Sequence, residues 1–239
     1  MKKQHSPKAR QAINVLELNH RHRQFDYQEV YRSIRTNIEF SSLDASARAI
    51  ALTSCQPFEA KTTTALNLAF IFAMKYARVL LIDCDLRQPQ IHKYLKLSNR
   101  SGLTDTLLHL RDHDSHPEKA IQKYEHTKLQ YPLHVLTSGT LVPNPAEILS
   151  SQLFKKLIAD LKERYDFLLL DCPPILSVSD AVPIGRSVDG TLFILSTQDT
   201  TRRQARLAIS ILKQNNVHLL GTIMTKVPLT SQRYGYGYY

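Results

Sequence analysis

Glycine and cysteine are scarce in this chain of 239 residues. Only seven glycines occur, and the first is Gly102, so a glycine-rich loop is excluded from everything that precedes it. Only three cysteines occur, and a small, odd number argues against a framework of paired disulfides. We therefore predict a protein of a reducing, cytoplasmic environment.

Long hydrophobic runs are also missing. The best apolar run, ALNLAFIFAM (65–74), is about half the roughly 20 residues that a membrane-spanning helix needs. No apolar segment follows the N-terminal lysines, so the sequence predicts neither a spanning helix nor a secretion signal. With 43% hydrophobic residues, the chain can bury one sizeable core, most simply as one domain.

Acidic residues are scarce near the N terminus. Residues 1–24 contain one acid, Glu17, and six Lys or Arg residues: Lys2, Lys3, Lys8, Arg10, Arg21 and Arg23. We interpret this segment as a flexible basic arm that a partner would order. The formal net charge of the whole chain is +10, which favours nucleic acid, phosphorylated ligands or an anionic membrane face as partners. A soluble protein with a basic arm is the alternative.

Apolar segments alternate with helix-forming segments along the chain. The predicted strands are 48–54, 77–85, 133–139, 165–174, 190–197 and 217–227, and the predicted helices are 61–76, 146–164 and 200–215. The strand segments are nearly continuous in hydrophobicity, as strands covered on both faces are. This order predicts an α/β fold, a single doubly wound parallel sheet with helices on both faces. Ligands in such folds bind at the carboxyl ends of the strands.

A Lys-Thr pair follows the first predicted strand and opens a predicted helix, in TSCQPFEAKTTTALNLAF (53–70). A helix N terminus presents free N–H groups and the positive end of its dipole to an anion. The Lys61 ammonium would add charge for a phosphate, and the Thr62 hydroxyl would be a ligand for Mg²⁺. Alone, this pattern is a weak signal and is more typical of an ordinary helix start.

Three acids follow other strands. Asp83 and Asp85 end the second strand, with a spacing that predicts both side chains on one face, and Asp171 ends a later strand in FLLLDCPP. Carboxylates held close together repel each other unless a cation lies beside them, and oxygen ligands suit Mg²⁺. With Lys61 and Thr62, these acids predict a Mg-nucleotide site. A structural cluster of ion pairs is the alternative.

The three cysteines, Cys55, Cys84 and Cys172, each neighbour one of these motifs. We interpret them as small buried hydrophobic residues. The alternative is a redox-sensitive nucleotide site.

The order and spacing of several segments resemble the bacterial tyrosine kinases (BY-kinases) over about residues 25–239. The segments are YRSIRTNIEFSS, TSCQPFEAKTTTALNLA, LLIDCDLRQPQIHKYL, GLTDTLL, LTSGTLVPNPAEILSS, YDFLLLDCPPILSVSDA and a tyrosine-rich end. The similarity is to the cytoplasmic kind that works with a separate membrane protein in capsular or extracellular polysaccharide synthesis. It implies a P-loop NTPase-like fold related to MinD and ParA. It also implies a division into the arm 1–24, a kinase domain 25–227 and a flexible tail 228–239.

The resemblance also implies roles for single residues. The ATP-binding residues would be Pro57, Phe58, Glu59, Ala60, Lys61, Thr62, Thr63 and Thr225, and the Mg²⁺ ligands would be Thr62, Asp83, Asp85 and Asp171. Catalysis would rest on Lys61, Asp83 and Asp85, with Asp83 the first choice for the acid that orients or deprotonates the attacking phenol. The phosphoacceptors would be Tyr234, Tyr236, Tyr238 and Tyr239. Glu29, Arg32 and Arg35 would form one charged helix stripe that mediates ring-shaped self-association.

The chain departs from the family pattern at three places. The family's loop reads P-G-E-G-K-[ST]-T, and here Phe58 and Ala60 replace both glycines. If either position needs φ > 0, its side chain raises the free energy of that loop conformation by roughly 1–3 kcal/mol. Thr225 replaces the usual Asn near the adenine and offers one hydroxyl instead of an amide. Gln56 stands where the related cell-division and partition ATPases carry a signature lysine, which favours the kinase branch.

The resemblance therefore predicts an ATP-dependent protein-tyrosine kinase that autophosphorylates its tail and regulates capsular or extracellular polysaccharide synthesis. ATP and Mg²⁺ are the implied cofactors. The implied partners are the cytoplasmic tail of a transmembrane polysaccharide co-polymerase, further copies of this chain and a cognate phosphotyrosine phosphatase, whereas nucleic acid is not expected. The implied location is the cytoplasm, at the inner face of the membrane through that partner. The alternatives are an impaired family member that acts as a scaffold or regulator, and a MinD/ParA-like ATPase.

Overall fold

The strands of the described residues form one seven-stranded sheet. The computed structural model describes residues 14–16, 26–40, 47–111 and 117–228. The strands are β1 (Ala49–Ser54), β2 (Val79–Asp83), β3 (Gln122–Tyr124), β4 (Leu133–Leu136), β5 (Phe167–Asp171), β6 (Gly190–Ser196) and β7 (Leu219–Thr225). Their order is β3-β4-β2-β5-β1-β6-β7, and all neighbours are parallel except β3 and β4. Six of these strands lie within the predicted segments. The short antiparallel edge strand β3 was not predicted.

The helices in the described ranges lie between the strands and before β1. They are α1 (Tyr27–Phe40), α2 (Lys61–Ala73), α3 (Ile91–Leu95), α4 (Leu103–Arg111), α5 (Pro145–Ser150), α6 (Gln152–Arg164), α7 (Ala181–Gly185) and α8 (Arg202–Gln214), with a 3₁₀ turn at Pro117–Lys119. The single helix predicted over 146–164 is two helices, because Ser151 has an extended backbone and its hydroxyl accepts from Phe154 N as the N-cap of α6. None of these helices combines the length and apolar character needed to cross a membrane.

Two hydrophobic cores cover the two faces of the sheet. Along β5, Leu168 and Leu170 belong to one core and Leu169 to the other, as the alternation of side chains along a strand requires. Helix α2 packs in the second core, and α6 and α8 contribute to the first. A strand that is apolar on both faces is buried on both faces, and this confirms the predicted doubly wound arrangement.

The strand order brings three chemically important segments to one edge of the sheet. β5 lies between β1 and β2, and Asp171 is in register with both Leu52 and Asp83. Because the three strands are parallel, their carboxyl ends lie side by side. The loop that leads into α2 therefore meets Asp171 and the residues that follow β2.

Candidate active site

The loop between β1 and α2 has the left-handed backbone conformation at both positions where the family pattern has glycine. Phe58 has φ 68° and Ala60 has φ 63°. The Phe58 side chain is 90% exposed, so its ring lies outside the core. Ala60 immediately precedes α2, so the first helical turn begins at Lys61. Both residues therefore have backbone conformations that are strained for residues other than glycine, each by roughly 1–3 kcal/mol.

A compact ion-pair cluster connects the start of α2 to the ends of the neighbouring strands. Lys61 Nζ lies 2.5 Å from Asp171 Oδ1 and 3.9 Å from Asp85 Oδ2. The Thr62 hydroxyl donates to Asp171 Oδ2 over 2.7 Å. The structure thus brings together four of the five residues of the predicted site, namely Lys61, Thr62, Asp85 and Asp171, whereas the oxygens of the fifth, Asp83, accept from backbone N–H groups.

Asp83 has a different environment from Asp85. Its side chain is completely buried, and its Oδ2 accepts from the backbone N–H groups of Gln90 and Ile91 over 3.2 and 3.1 Å. Its Oδ1 accepts from Asp85 N over 3.2 Å. β2 ends at Asp83, so Asp85 lies beyond the strand and the strand-face prediction for this pair does not apply. Asp83, the first choice for the catalytic acid, thus holds the backbone at the start of α3 by hydrogen bonds.

Burial and mutual charge shift the pKa values of this cluster. Burial raises the pKa of Asp83, and the neighbouring Asp171 carboxylate raises it further. Burial also raises the pKa of Asp171, although Lys61 opposes that shift. Burial by itself lowers the pKa of Lys61, but Asp171 and Asp85 outweigh it, so the net shift is upward and the ammonium stays charged.

A cavity of about 290 Å³ opens above this cluster. Its walls include most of the loop and the first turn of α2, namely Pro57, Phe58, Ala60, Lys61, Thr62 and Thr63. The segment after β2 supplies Asp85, Arg87, Gln88, Gln90 and Tyr94. Arg87 makes two hydrogen bonds to the buried Asp180 carboxylate, over 2.7 and 3.1 Å. The sequence did not identify four residues near the cavity, Asp180, Gln88, Gln90 and Tyr94, as site residues. No motif or spacing marks them, although they lie in segments that resemble the family.

The oxygen donors of the cluster fit Mg²⁺ in the company of ligand oxygens. Within the described ranges, no three acid, histidine or cysteine side chains are arranged to hold a metal ion by themselves. Thr62 and Asp85 line one cavity, and Asp171 fixes the Thr62 hydroxyl. Mg²⁺ characteristically takes one or two protein oxygens, several waters and substrate phosphates. The donor set suits that mode of binding.

Two of the predicted ATP-binding residues support the loop from behind. Neither Glu59 nor Thr225 lines the cavity. The Thr225 hydroxyl donates to the Glu59 carbonyl over 2.9 Å and approaches the Leu195 carbonyl at 3.3 Å. The Glu59 side chain is only 1% exposed. Thr225 thus connects the end of β7 to the loop.

The predicted charged stripe on α1 is divided between solvent and the protein interior. Glu29 and Arg32 are exposed and lie 3.4 Å apart. Arg35 turns inward, donating to the Ile71 carbonyl over 2.9 Å and lying 3.4 Å from Glu39. The stripe is therefore exposed only at its first two members.

The remaining sequence predictions have separate outcomes. Cys55, Cys84 and Cys172 are free and fully buried, as expected of small hydrophobic residues. Most of the basic arm and all four predicted phosphoacceptors, Tyr234, Tyr236, Tyr238 and Tyr239, lie outside the described residues.

Comparison with known proteins places the chain among kinases. A family model described as "AAA domain" matches residues 47–190. The tyrosine-protein kinase YwqD of Bacillus subtilis is 44% identical over 211 residues, covering 88% of this chain and 85% of that protein. The tyrosine-protein kinase wzc of Salmonella typhimurium is 34% identical over 213 residues, covering 88% of this chain but only 28% of that longer protein.

A solved structure agrees with the sequence comparison. The kinase domain of the Escherichia coli tyrosine kinase ETK has a TM-score of 0.78 and is 28% identical, covering 100% of this chain and 89% of that one. The resemblance read from the motifs and the predicted P-loop NTPase-like fold are both confirmed. This chain belongs to the bacterial tyrosine-protein kinase (BY-kinase) family.

Proposed function

We propose that this chain is an ATP-dependent protein-tyrosine kinase that phosphorylates the tyrosine cluster of its own tail. The observation that carries the proposal is the convergence of Lys61, Thr62, Asp85 and Asp171 at the start of α2, beneath a cavity. A helix N terminus, an ammonium and hard oxygen donors are the groups that a Mg-bound triphosphate requires. The cluster occurs in a chain that is 44% identical to a tyrosine-protein kinase.

Phosphate binding falls to Lys61 and the first turn of α2. The N–H groups of that turn have no helical acceptor, and the dipole places positive charge there. The Lys61 ammonium would exchange part of its contact with Asp171 for a phosphate oxygen, which stabilises negative charge in the transition state. Bound Mg²⁺ would neutralise charge on the phosphates. Thr62 and Asp85 would hold the ion, and Asp171 would orient the Thr62 hydroxyl.

Alignment of the phenol falls to Asp85 in this proposal. Asp85 lines the cavity, with Oδ1 accepting from Gln88 N and Oδ2 lying 3.9 Å from Lys61 Nζ, whereas Asp83 is fully buried and both of its oxygens accept from backbone N–H groups. The phenol has a pKa near 10, so positioning and charge stabilisation contribute more than deprotonation before the transfer. Asp83 then acts as a positioning residue that fixes the start of α3. Arg87, held by Asp180, adds positive charge on the same wall of the cavity.

The cellular role that we propose is regulation of capsular or extracellular polysaccharide synthesis. The partner would be a transmembrane co-polymerase whose cytoplasmic tail activates the kinase and holds it at the inner face of the membrane. The basic arm suits contact with such a tail or with the anionic membrane face. Self-association would deliver the tail tyrosines of one copy to the site of another, and phosphate charges on the tail would then favour dissociation. A cognate phosphotyrosine phosphatase would reverse the modification.

The left-handed conformations of Phe58 and Ala60 favour one second candidate, an impaired member that acts as a scaffold. Such a protein would bind its membrane partner without phosphotyrosine formation. A MinD/ParA-like ATPase would instead hydrolyse ATP with lipid or DNA stimulation and without tyrosine labelling.

Phosphotyrosine formation separates these candidates. We expect incubation of the full chain with Mg-ATP, with and without the cytoplasmic peptide of a candidate partner, to label Tyr234–Tyr239 in peptide mass spectra. Lys61→Met should reduce labelling by at least about 100-fold, because it removes charge stabilisation at the transferred phosphoryl group. Lys156→Met, at an exposed position of α6, is the matched control and should label normally. Labelling that survives Lys61→Met, or that is absent under every condition, would contradict the kinase proposal.

A further inference from the structure

The Glu59 carboxylate is buried in the middle of the strained loop, between its two left-handed residues. Phe58 precedes it and Ala60 follows it, both with φ above +60°. The side chain is only 1% exposed, although it belongs to a residue type that is almost never fully buried without partners. Its position implies that its interactions outweigh the loss of hydration.

The carboxylate is fully engaged with backbone and side-chain donors. Oε2 accepts from the N–H groups of Cys55 and Gln56, over 2.8 and 3.1 Å. Oε1 accepts from the Thr200 hydroxyl, which in turn accepts from Ser196 N over 2.9 Å. The carboxylate thus connects the beginning of the loop to the end of β6.

The main chain of the same residue is anchored separately. The Thr225 hydroxyl donates to the Glu59 carbonyl over 2.9 Å. The peptide group after Glu59 is therefore fixed from β7, while the Glu59 side chain is fixed at the end of β6. Rotation of Phe58 or Ala60 out of the left-handed region would move Glu59 and break these hydrogen bonds.

We propose that Glu59, the Glu of the family's P-G-E-G-K pattern, is with Thr200 and Thr225 a positioning residue that holds this loop in its phosphate-binding conformation without the two glycines. This inference rests on the proposed nucleotide-binding function. Glycine makes the left-handed conformations accessible without strain, whereas this chain stabilises them with hydrogen bonds made elsewhere. Without the anchor, a loop with side chains at 58 and 60 relaxes and has to be reordered when nucleotide binds, which weakens affinity.

The first measurement is hydrogen exchange of the nucleotide-free full chain. Glu59→Ala should accelerate exchange in peptides that span the loop, including the amides of Cys55 and Gln56. Glu59→Gln should have a smaller effect, because one oxygen still accepts from those amides and the side-chain amide can donate to the Thr200 oxygen. Unchanged loop exchange in Glu59→Ala would overturn the proposal. Hydrogen exchange tests the anchor without any nucleotide. If the protein binds no nucleotide, that result would refute the proposed function and not the anchor.

The second measurement is Mg-ATP affinity in a double-mutant cycle. In the natural loop, Glu59→Ala should raise Kd by about 10-fold or more, since charged hydrogen bonds are lost. In the Phe58→Gly/Ala60→Gly background the same change should raise Kd by only about threefold or less, because glycine needs no anchor. Thr225→Val should follow the same pattern, and Thr222→Val, at an exposed position of the same strand, is its control. Equal losses in both backgrounds would show that the anchor does not compensate for the missing glycines.

Discussion

At the scale of single residues, the loop between β1 and α2 has a strained backbone, but this strain need not weaken nucleotide binding. Phe58 and Ala60 have positive φ in a loop that hydrogen bonds within the protein hold at Glu59, from Cys55 N, Gln56 N and the Thr200 and Thr225 hydroxyls. Strain that is present both before and after binding lowers the stability of the fold and leaves the binding affinity nearly unchanged. The loss of glycines in this chain therefore does not by itself imply loss of nucleotide binding.

Restoring both glycines tests this separation. We expect Phe58→Gly/Ala60→Gly to raise the free energy of unfolding by roughly 0.5–1 kcal/mol per site, after allowance for the more flexible unfolded chain. The Kd for Mg-ATP should change by less than about threefold. Urea unfolding and calorimetry measure the two quantities. Lys96→Gly, at an exposed residue with φ 55° after α3, is the control that relieves strain away from the cavity. Tightening of Mg-ATP binding by tenfold or more would show that the natural loop is distorted.

The cysteines beside the site are poor candidates for redox control. Burial raises the pKa of Cys55 to about 12, and Cys84 and Cys172 are shifted upward for the same first cause. At pH 8 the thiolate fraction of Cys55 is therefore roughly one in 10⁴.

Thiol alkylation of the folded protein checks this conclusion. We expect iodoacetamide at pH 8 to leave all three cysteines unmodified under native conditions and to modify them in urea, with mass spectrometry as the readout. Addition of ATP should make no difference to the native result. Rapid native alkylation that ATP prevents would support the redox-sensitive site instead.

At the scale of elements, α1 and α2 are joined by a helix cap. Backbone N–H groups that follow α2 donate to the Phe70 and Phe72 carbonyls, and Arg35 of α1 donates to the Ile71 carbonyl between them. Glu39 holds Arg35 and also pairs with Lys75 at 2.9 Å. Arg35, one of the three residues predicted to mediate self-association, thus fixes α1 to α2.

Neutral substitutions on α1 separate these two roles. Arg35→Met should lower the free energy of unfolding by about 1–3 kcal/mol, because a partly buried charged hydrogen bond is lost. Arg32→Met should change it by less than about 0.5 kcal/mol, because its ion pair is exposed. Thermal or urea unfolding measures both, and sizing columns report self-association. If the two variants have equal stability, Arg35 does not cap α2. If both assemble normally, the stripe is not an interface.

At the scale of the whole molecule, most of the parallel sheet could be predicted, because a strand buried on both faces leaves a continuous apolar run. The strand β3 could not, since its three residues are polar or half-buried and pair only at an edge. The membership of the cluster was predictable from the rule that ligands meet the carboxyl ends of parallel strands. The different environments of Asp83 and Asp85 were not, because β2 ends at Asp83 and Asp85 lies beyond the strand. The anchor at Glu59 was hidden too, since Thr200 and Thr225 are distant in sequence.

The central claim is that Lys61, Thr62, Asp85 and Asp171 converge to bind one Mg-triphosphate. Isothermal calorimetry of the full chain with ATP tests it most directly, with and without Mg²⁺ and with the partner's cytoplasmic peptide present. We expect saturable heat that requires Mg²⁺ and is lost in Lys61→Met but not in Lys156→Met. No heat at millimolar Mg-ATP, or equal heat from both variants, would contradict the claim.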